Sequence, residues 1–319
     1  MRAGATPRGC QMFDVVEVQD EAPHRFESVG TKPKFWFDHE GQQTLFKECR
    51  EGTGEDWAEK IACELCRELG LPHADVELAI WKGKRGIVTP SFVTEGSALV
   101  LGNEILGSFI PDYPTRARGT REHYRVPQYS LDNILAVVGS GGILPPSMPE
   151  LPTGVEDAAD AFAGYLMLDA WIANQDRHHE NWGIILEYTA QESGEFVARL
   201  APTFDHASSL ARNETDTVLS ARLRTKDKRF SVEAYAARAR SAVFASEQDR
   251  KPMFTFDVFQ KTAQLRPTAA RAWLNRLAGI SGDIPIQLFA DVPPQRISPT
   301  AAEFAGRMLE INRNRLLEV

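Results

Sequence analysis

The chain has 319 residues, enough for one large domain or two lobes with an ample core. Its composition, 43% hydrophobic and 25% charged, is that of a globular protein, and no uninterrupted apolar run reaches the length of a membrane span. A net charge of −8 argues against a general nucleic-acid coat, so direct DNA binding is not expected.

The opening residues, MRAGATPRGCQMFDVVEVQD, hold no apolar stretch of signal-peptide length. The default compartment is therefore the cytoplasm, with export as an effector by another route left open. KFWFD (34–38) and QTLFKE (43–48) are β-prone runs, and the intervening HEGQ contains a turn glycine, so a hairpin is expected. With the turn centred between Glu40 and Gly41, Lys34 faces Lys47. Two facing lysines repel unless an anion lies near them.

EDWAEKIACELCREL (55–69) reads as a helix, with Trp57, Ile61, Leu65 and Leu69 on one face. Thr53 and Asp56 resemble a capping pair, and Gly70 stops the helix. Cys63 and Cys66 form a CxxC inside this pattern with no second pair, so packing or a free thiol is favoured over zinc. With Cys10 and Cys49 they do not suggest a disulfide scaffold. ADVELAIW and RGIVTPSFV follow as β-like runs.

From about residue 96 the pattern changes. The loop-rich PDYPTRARGTREHYRVPQYS leads into LDNILAVVG, and GGILPPSMPELPTG is a Gly/Pro-rich connector. Residues 156–174 read as a helix, with Phe162, Leu166, Asp169 and Trp171 or Ile172 along its turns. RPTAARAWLNRLAGI and SPTAAEFAGRMLEINRNRLLEV are further helical segments. The expected architecture is α+β, with a small sheet-rich lobe over 1–95 and a larger helical lobe over 96–319.

WIANQDRHHENWGI (171–184) crowds charge between apolar flanks. After it come a strand-like WGIILEY, a turn-rich TAQESGE, a second strand-like FVARLA and then PTFDHASSL. An antiparallel hairpin brings its two open ends together, and with them Asn181 and Asp205. Asp176 lies in the loop just before. Asn181 and Asp205 offer the hard oxygens that Mg²⁺ prefers, and Asp176 is placed to orient an attacking hydroxyl and accept its proton. This is the division of labour in phosphoryl transfer from ATP. A strand lysine, Lys47, is then expected on the α/β-phosphates, held by Glu59 of the following helix. Each piece alone is weak, and the order of all of them is much more specific.

These segments resemble the HipA-like kinases, a bacterial serine/threonine kinase family. EKIACELCRELGLPHADVEL resembles the family's N-lobe helix, NQDRHHENWGII its D-x-H-x-x-N catalytic loop, LAPTFDHASSL its metal-binding segment and SVGTKPKFWF its phosphate-proximal loop. The resemblance implies a two-lobed protein-kinase-like fold, related to that of phosphoinositide kinases. It implies ATP and Mg²⁺, a protein substrate with a serine or threonine acceptor, and an antitoxin or regulatory protein as partner. Asp176 is then the catalytic base, His178 a structural member of its loop, and Asn181 and Asp205 the metal ligands. Lys47 contacts phosphates and Glu59 positions it, while Gly30, Lys32 and Lys34 lie near the phosphates. TPSFV (89–93) is the implied adenine hinge, with Phe92 as its side chain. Ser28 and Thr31 are candidates for autophosphorylation. The phosphate loop is not a G-x-G-x-x-G, and it starts close to Met1, as in shorter members of the group. A lipid or small-molecule kinase and a nucleotide-binding pseudokinase are the competing readings.

Several conspicuous residues have plainer expectations. His178 is a loop brace and His179 is solvated, Arg177 is salt-bridging or phosphate-facing, and Glu180 is exposed. Trp36, Trp57, Trp171 and Trp182 belong to the core, with Trp182 anchoring the hairpin base. ARLRTKDKRF (221–230) is a solvated loop or a basic surface for an acidic substrate. RARGTREHYR (116–125) has the same ambiguity.

Overall fold

The computed structural model describes residues 11–23, 25–26, 33–115, 125–147, 150–190 and 195–319. Strands β3 (Lys34–His39) and β4 (Gln42–Glu48) form the expected hairpin, and Lys34 lies directly opposite Lys47. Glu40 and Gly41 both take positive φ, 54° and 81°, the turn geometry that matches the twist of a tight hairpin. On the inner face Phe35 stacks on Phe46 with ring centroids 5.1 Å apart.

Among the described residues, β3 and β4 belong to a six-stranded sheet. Its other members are β1 (Val15–Val18), β2 (Arg25–Phe26), β5 (Glu77–Trp81) and β6 (Lys84–Pro90), in the order β1-β5-β6-β4-β3-β2. β1 runs parallel to β5, and the other pairings are antiparallel. Helix α1 (Glu55–Leu69) contacts β5 and β6 and buries Ile61, Leu65 and Leu69. Gly70, at φ 66°, ends it.

The expected capping pair is corrected. Gly54 stands at the N-cap and no side chain caps the helix. Thr53 donates its hydroxyl to the Arg50 carbonyl at 2.8 Å. Asp56 is buried between two guanidinium groups, Arg85 and Arg296, each at 2.6 Å. A paired buried carboxylate is bound more strongly than an exposed cap, so the long-range ion pairs prevail.

The second lobe is built on α4 (Ala158–Ile172), which is buried all round. Helices α3 (Leu131–Val138), α7 (Thr255–Leu265), α8 (Pro267–Gly279) and α10 (Pro299–Leu317) pack on it, and α5 (Asp216–Arg224), α6 (Val232–Ala236) and α9 (Asp283–Asp291) pack on α10. After α4, β9 (Gly183–Ala190) and β10 (Glu195–Leu200) pair antiparallel, as the sequence suggests. β7 (Ser97–Leu101) and β8 (Ile143–Leu144) flank this hairpin and, among the described residues, complete a four-stranded sheet, order β7-β9-β10-β8. Helix α2 (Gly102–Phe109) starts against the loop before β9, where a Cβ on Gly102 would stand 2.6 Å from the His179 carbonyl oxygen. Only glycine permits that approach. No helix among the described residues is long and apolar enough to cross a membrane.

Candidate active site

Lys47 occupies the β4 face opposite buried Phe46, as strand alternation requires. Its ammonium lies 3.0 Å from Asp205 Oδ1 and 3.6 Å from Glu59 Oε2. Burial opposes its charge, but the carboxylates of Asp205 and Glu59 outweigh that cost and hold the ammonium above its ordinary range. The strand, the helix and the segment after the β9–β10 hairpin thus converge on one cation. Glu59 is fixed on its other side, where Oε1 accepts the backbone N–H of His206 at 3.1 Å. Asp205 adopts φ 59°, a left-handed conformation that costs a non-glycine residue strain and turns its carboxylate to Lys47.

Asp176 and Asn181 sit in the loop between α4 and β9. The Asn181 amide donates to the Asp176 carbonyl oxygen at 2.6 Å, which commits Nδ2 and leaves Oδ1 as the ligand-type atom. Asp176 is half-buried, and Ser208 donates to its Oδ2 at 3.2 Å. Gln175 N donates to the Ser208 carbonyl at 3.1 Å, so the loop is tied to the segment following Asp205. His178 behaves as a brace, its Nδ1 accepting from Glu180 N at 3.1 Å.

Arg177 is the hub of this arrangement. Its side chain is 1% exposed and grips Asp169 of α4 with Nε and Nη2 at 2.8 and 2.9 Å. It also donates to the Asn181 carbonyl at 2.7 Å, to Thr203 Oγ1 at 2.9 Å and to the Phe204 carbonyl at 3.4 Å. One guanidinium therefore joins α4, Asn181 and the residues leading to Asp205. This settles Arg177 as salt-bridging rather than phosphate-facing. Arg177→Met should destabilise the chain by ~3–5 kcal/mol, because Asp169 is left buried and unpaired. Urea unfolding checks this, and a loss under ~1 kcal/mol contradicts the hub role.

His206 is buried, and burial together with Arg177 holds its imidazole well below the ordinary 6.5. It is neutral when folded, and its Nε2 shares a 2.8 Å hydrogen bond with the Thr203 hydroxyl. The unfolded chain binds that proton near its ordinary value. The contribution to stability is therefore full above about pH 6.5 and is lost as the pH falls below it. His73, also held low by burial, adds in the same direction. The unfolding temperature should fall between about pH 7 and about pH 5.5, and His206→Gln should flatten that slope. An unchanged slope in the variant contradicts this account.

Two expectations are overturned. His179 is buried rather than solvated, and its Nδ1 lies 2.8 Å from the Tyr113 hydroxyl. Glu180 is half-buried rather than exposed, within 3.4 Å of Asn103 Nδ2. Both partners come from the other side of the β7–β9 pairing, at a sequence distance that local pattern does not reveal. Trp57, Trp171 and Trp182 are buried as expected, and Trp36 is half-buried. Trp182 sits edge-on to Phe162 with centroids 5.3 Å apart, which anchors the base of the hairpin.

Phe92 stacks on Phe204 with centroids 5.8 Å apart, so the 89–93 segment meets the residue before Asp205. Phe204 was not singled out from sequence, although its place beside Asp205 was the available signal. Lys34 is half-buried on the strand facing Lys47. Gly30, Lys32, Ser28 and Thr31 lie outside the described residues, as does RARGTREHYR except Arg125. Within ARLRTKDKRF, residues 226–230 are exposed, while Arg222 stacks over Phe230 and Tyr235.

A second brace was not legible. Glu55, at the start of α1, is buried and binds both Arg50, at 3.0 Å, and Arg212. Arg212 in turn donates to Ser208 at 2.9 Å, which contacts Asp176. A cavity of about 200 Å³ opens there, lined by Gln175, Ser208, Ser209, Arg212, Asn213 and Tyr235 among others.

No protein-family model matches this sequence, and no curated protein matches it. Solved structures do. The crystal structure of the Helicobacter pylori proinflammatory kinase CtkA aligns with a TM-score of 0.69 at 18% identity, covering 96% of this chain and 99% of that one. HipA of Shewanella oneidensis MR-1, from its complex with HipB and operator DNA, aligns at a TM-score of 0.47 and 12% identity, covering 94% of this chain and 66% of that one. The kinase domain of Mycobacterium tuberculosis PknI aligns at 0.32 and 16% identity, covering 92% and 98%. The first of these shows that the chain has a two-lobed, kinase-like fold.

Proposed function

We propose that the chain is an ATP- and Mg²⁺-dependent kinase that transfers the γ-phosphate to a serine or threonine hydroxyl of a protein. The observation that carries this reading is the convergence of Lys47, Glu59 and Asp205, with Asp176 and Asn181 linked to the same segment through Arg177 and Ser208. The fold shared with CtkA, described as a proinflammatory kinase, supports it.

The donor set fits a hard cation. Asn181 Oδ1 and the Asp205 carboxylate would hold Mg²⁺, with Lys47 already showing that Asp205 receives positive charge. When bound, Mg²⁺ supplies charge neutralisation for the nucleotide phosphates. Lys47 exchanges its contact with Asp205 for the α/β-phosphates, and Glu59 keeps it oriented. Phe92 and Phe204 offer an aromatic surface suited to adenine. Asp176 orients the acceptor hydroxyl and takes its proton as the new O–P bond forms and ADP leaves. Ser208 holds Asp176 in place for this.

Lys47, Asp176, Asn181 and Asp205, tied together through Arg177 and Ser208, favour catalysis over a pseudokinase role. The substrate side separates the remaining alternatives. The protein is incubated with γ-labelled ATP and Mg²⁺, in parallel with a protein extract and with phosphoinositide vesicles. Label on protein phosphoserine or phosphothreonine, including Ser28 or Thr31 of the chain itself, is expected. Label confined to lipid overturns the protein-substrate assignment, and nucleotide binding without transfer overturns catalysis.

A further inference from the structure

One helical turn beyond Glu59, α1 carries Cys63, which the activity described above does not use. Its thiol is buried against Val76 and Ile87. Across from it, the segment after Gly70 presents His73 and Asp75. One donor atom from each of Cys63, His73 and Asp75 lies within 4.8 Å of the other two.

The imidazole of His73 is set up for coordination. Its Nδ1 lies 2.6 Å from the Leu71 carbonyl oxygen, a contact that requires Nδ1 to carry the proton. The lone pair is then on Nε2. That atom is buried and makes no hydrogen bond, an arrangement that costs free energy unless something occupies it. Asp75 Oδ1 lies 3.8 Å from it, a separation that two ligands of one ion can take and too long for a hydrogen bond. A backbone carbonyl behind the far ring nitrogen is the usual support for a metal-bound histidine. Asp75 is supported as well, since its Oδ1 accepts from Arg67 at 2.7 Å.

We propose that Cys63, His73 and Asp75 form a binding site for a thiophilic divalent cation, zinc by its donor set, with water completing the coordination beside the exposed Asp75. Sulfur, nitrogen and carboxylate oxygen together suit zinc, whereas Mg²⁺ and Ca²⁺ take oxygen alone. The local charge agrees. With the thiol ionised, Cys63, Glu64, Asp75 and Glu77 face Lys60 and Arg67, and a divalent cation offsets the excess. Burial pushes the thiol up to about 12 in the absence of a cation. Binding therefore forms a sulfur–metal bond and releases the thiol proton to solvent.

The site is placed to brace the catalytic arrangement. Ala74 N donates to the Thr203 carbonyl, and Thr203 N donates to the Pro72 carbonyl, both at 2.9 Å. The cation thus ties the helix that bears Glu59 to the segment stapled beside Asp205. This is a positioning role, exerted through α1 and the pairing of residues 72–74 with Thr203.

Cobalt(II) titration of the 319-residue chain, freed of metal with chelator and without nucleotide, tests the site. Wild type and Cys66→Ser should develop a near-ultraviolet thiolate-to-cobalt band that saturates at about one equivalent and is abolished by added zinc. Cys63→Ser should lack the band, and Asp75→Asn and His73→Gln should weaken binding by at least roughly tenfold. Asp75 is exposed, so its variant reports on coordination even where a core substitution impairs folding. No band in wild type, or a band that survives Cys63→Ser, overturns the proposal. The assay involves no phosphoryl transfer, so either outcome leaves the kinase reading to its own test.

Discussion

Asp176→Ala should reduce phosphoryl transfer by roughly 10²–10⁴-fold while the unfolding temperature stays within a few degrees of wild type. Two features make the second half of that expectation as firm as the first. The loop around Asp176 is held by Arg177, Asn181 and backbone bonds rather than by the Asp176 carboxylate. Ser208 donates to that half-buried carboxylate, and the His178 ring approaches it at 3.8 Å. On the proposed mechanism, removing it deletes the proton acceptor and leaves the scaffold. Rates from labelled-ATP assays and melting curves of the same preparations check both halves. A variant that turns over within tenfold of wild type would remove Asp176 from the mechanism.

Lys47→Met should lower the transfer rate by roughly 10²–10³-fold, the range seen when one electrostatic stabiliser of a transition state is removed. Nucleotide affinity should weaken with it. The geometry also predicts that Lys47→Arg does not rescue. The ammonium sits between two carboxylates at 3.0 and 3.6 Å, in a space defined by a strand, a helix and the Asp205 segment. A planar fork has a different reach and donor geometry. Glu59→Gln should produce a smaller rate loss than Lys47→Met, because the Lys47–Asp205 contact remains and the amide oxygen still accepts His206 N. Equal losses in Lys47→Met and Glu59→Gln would contradict the assignment of Lys47 as the phosphate-contacting group and Glu59 as its support.

The parts of the fold legible in sequence are those written in local periodicity. The alternation in 34–48 and its turn glycine fix the register that sets Lys34 opposite Lys47. The apolar face of α1 places Glu59, and the two runs around TAQESGE give the hairpin that returns Asp205 toward Asn181. What escaped is written in contacts between distant segments. β7 and β8 are short and join a sheet whose other members lie far along the chain. His179 looks solvated in sequence because its partner, Tyr113, belongs to another loop. Asp56 resembles a helix cap until Arg296, near the C-terminal helix, claims it. Arg177 shows the same principle at the site. Its charge pattern suggested a pairing, yet its role as the junction of α4, Asn181 and Phe204 depends on how those elements are folded together.

The most direct test is a crystal structure of the protein with a non-hydrolysable ATP analogue and Mn²⁺, read by anomalous scattering. The account predicts an Mn²⁺ peak bonded at about 2.1–2.2 Å to Asn181 Oδ1 and the Asp205 carboxylate, with Lys47 on the phosphates and the γ-phosphate facing Asp176. An ion bound elsewhere, or a nucleotide whose phosphates lie away from Lys47, would contradict it.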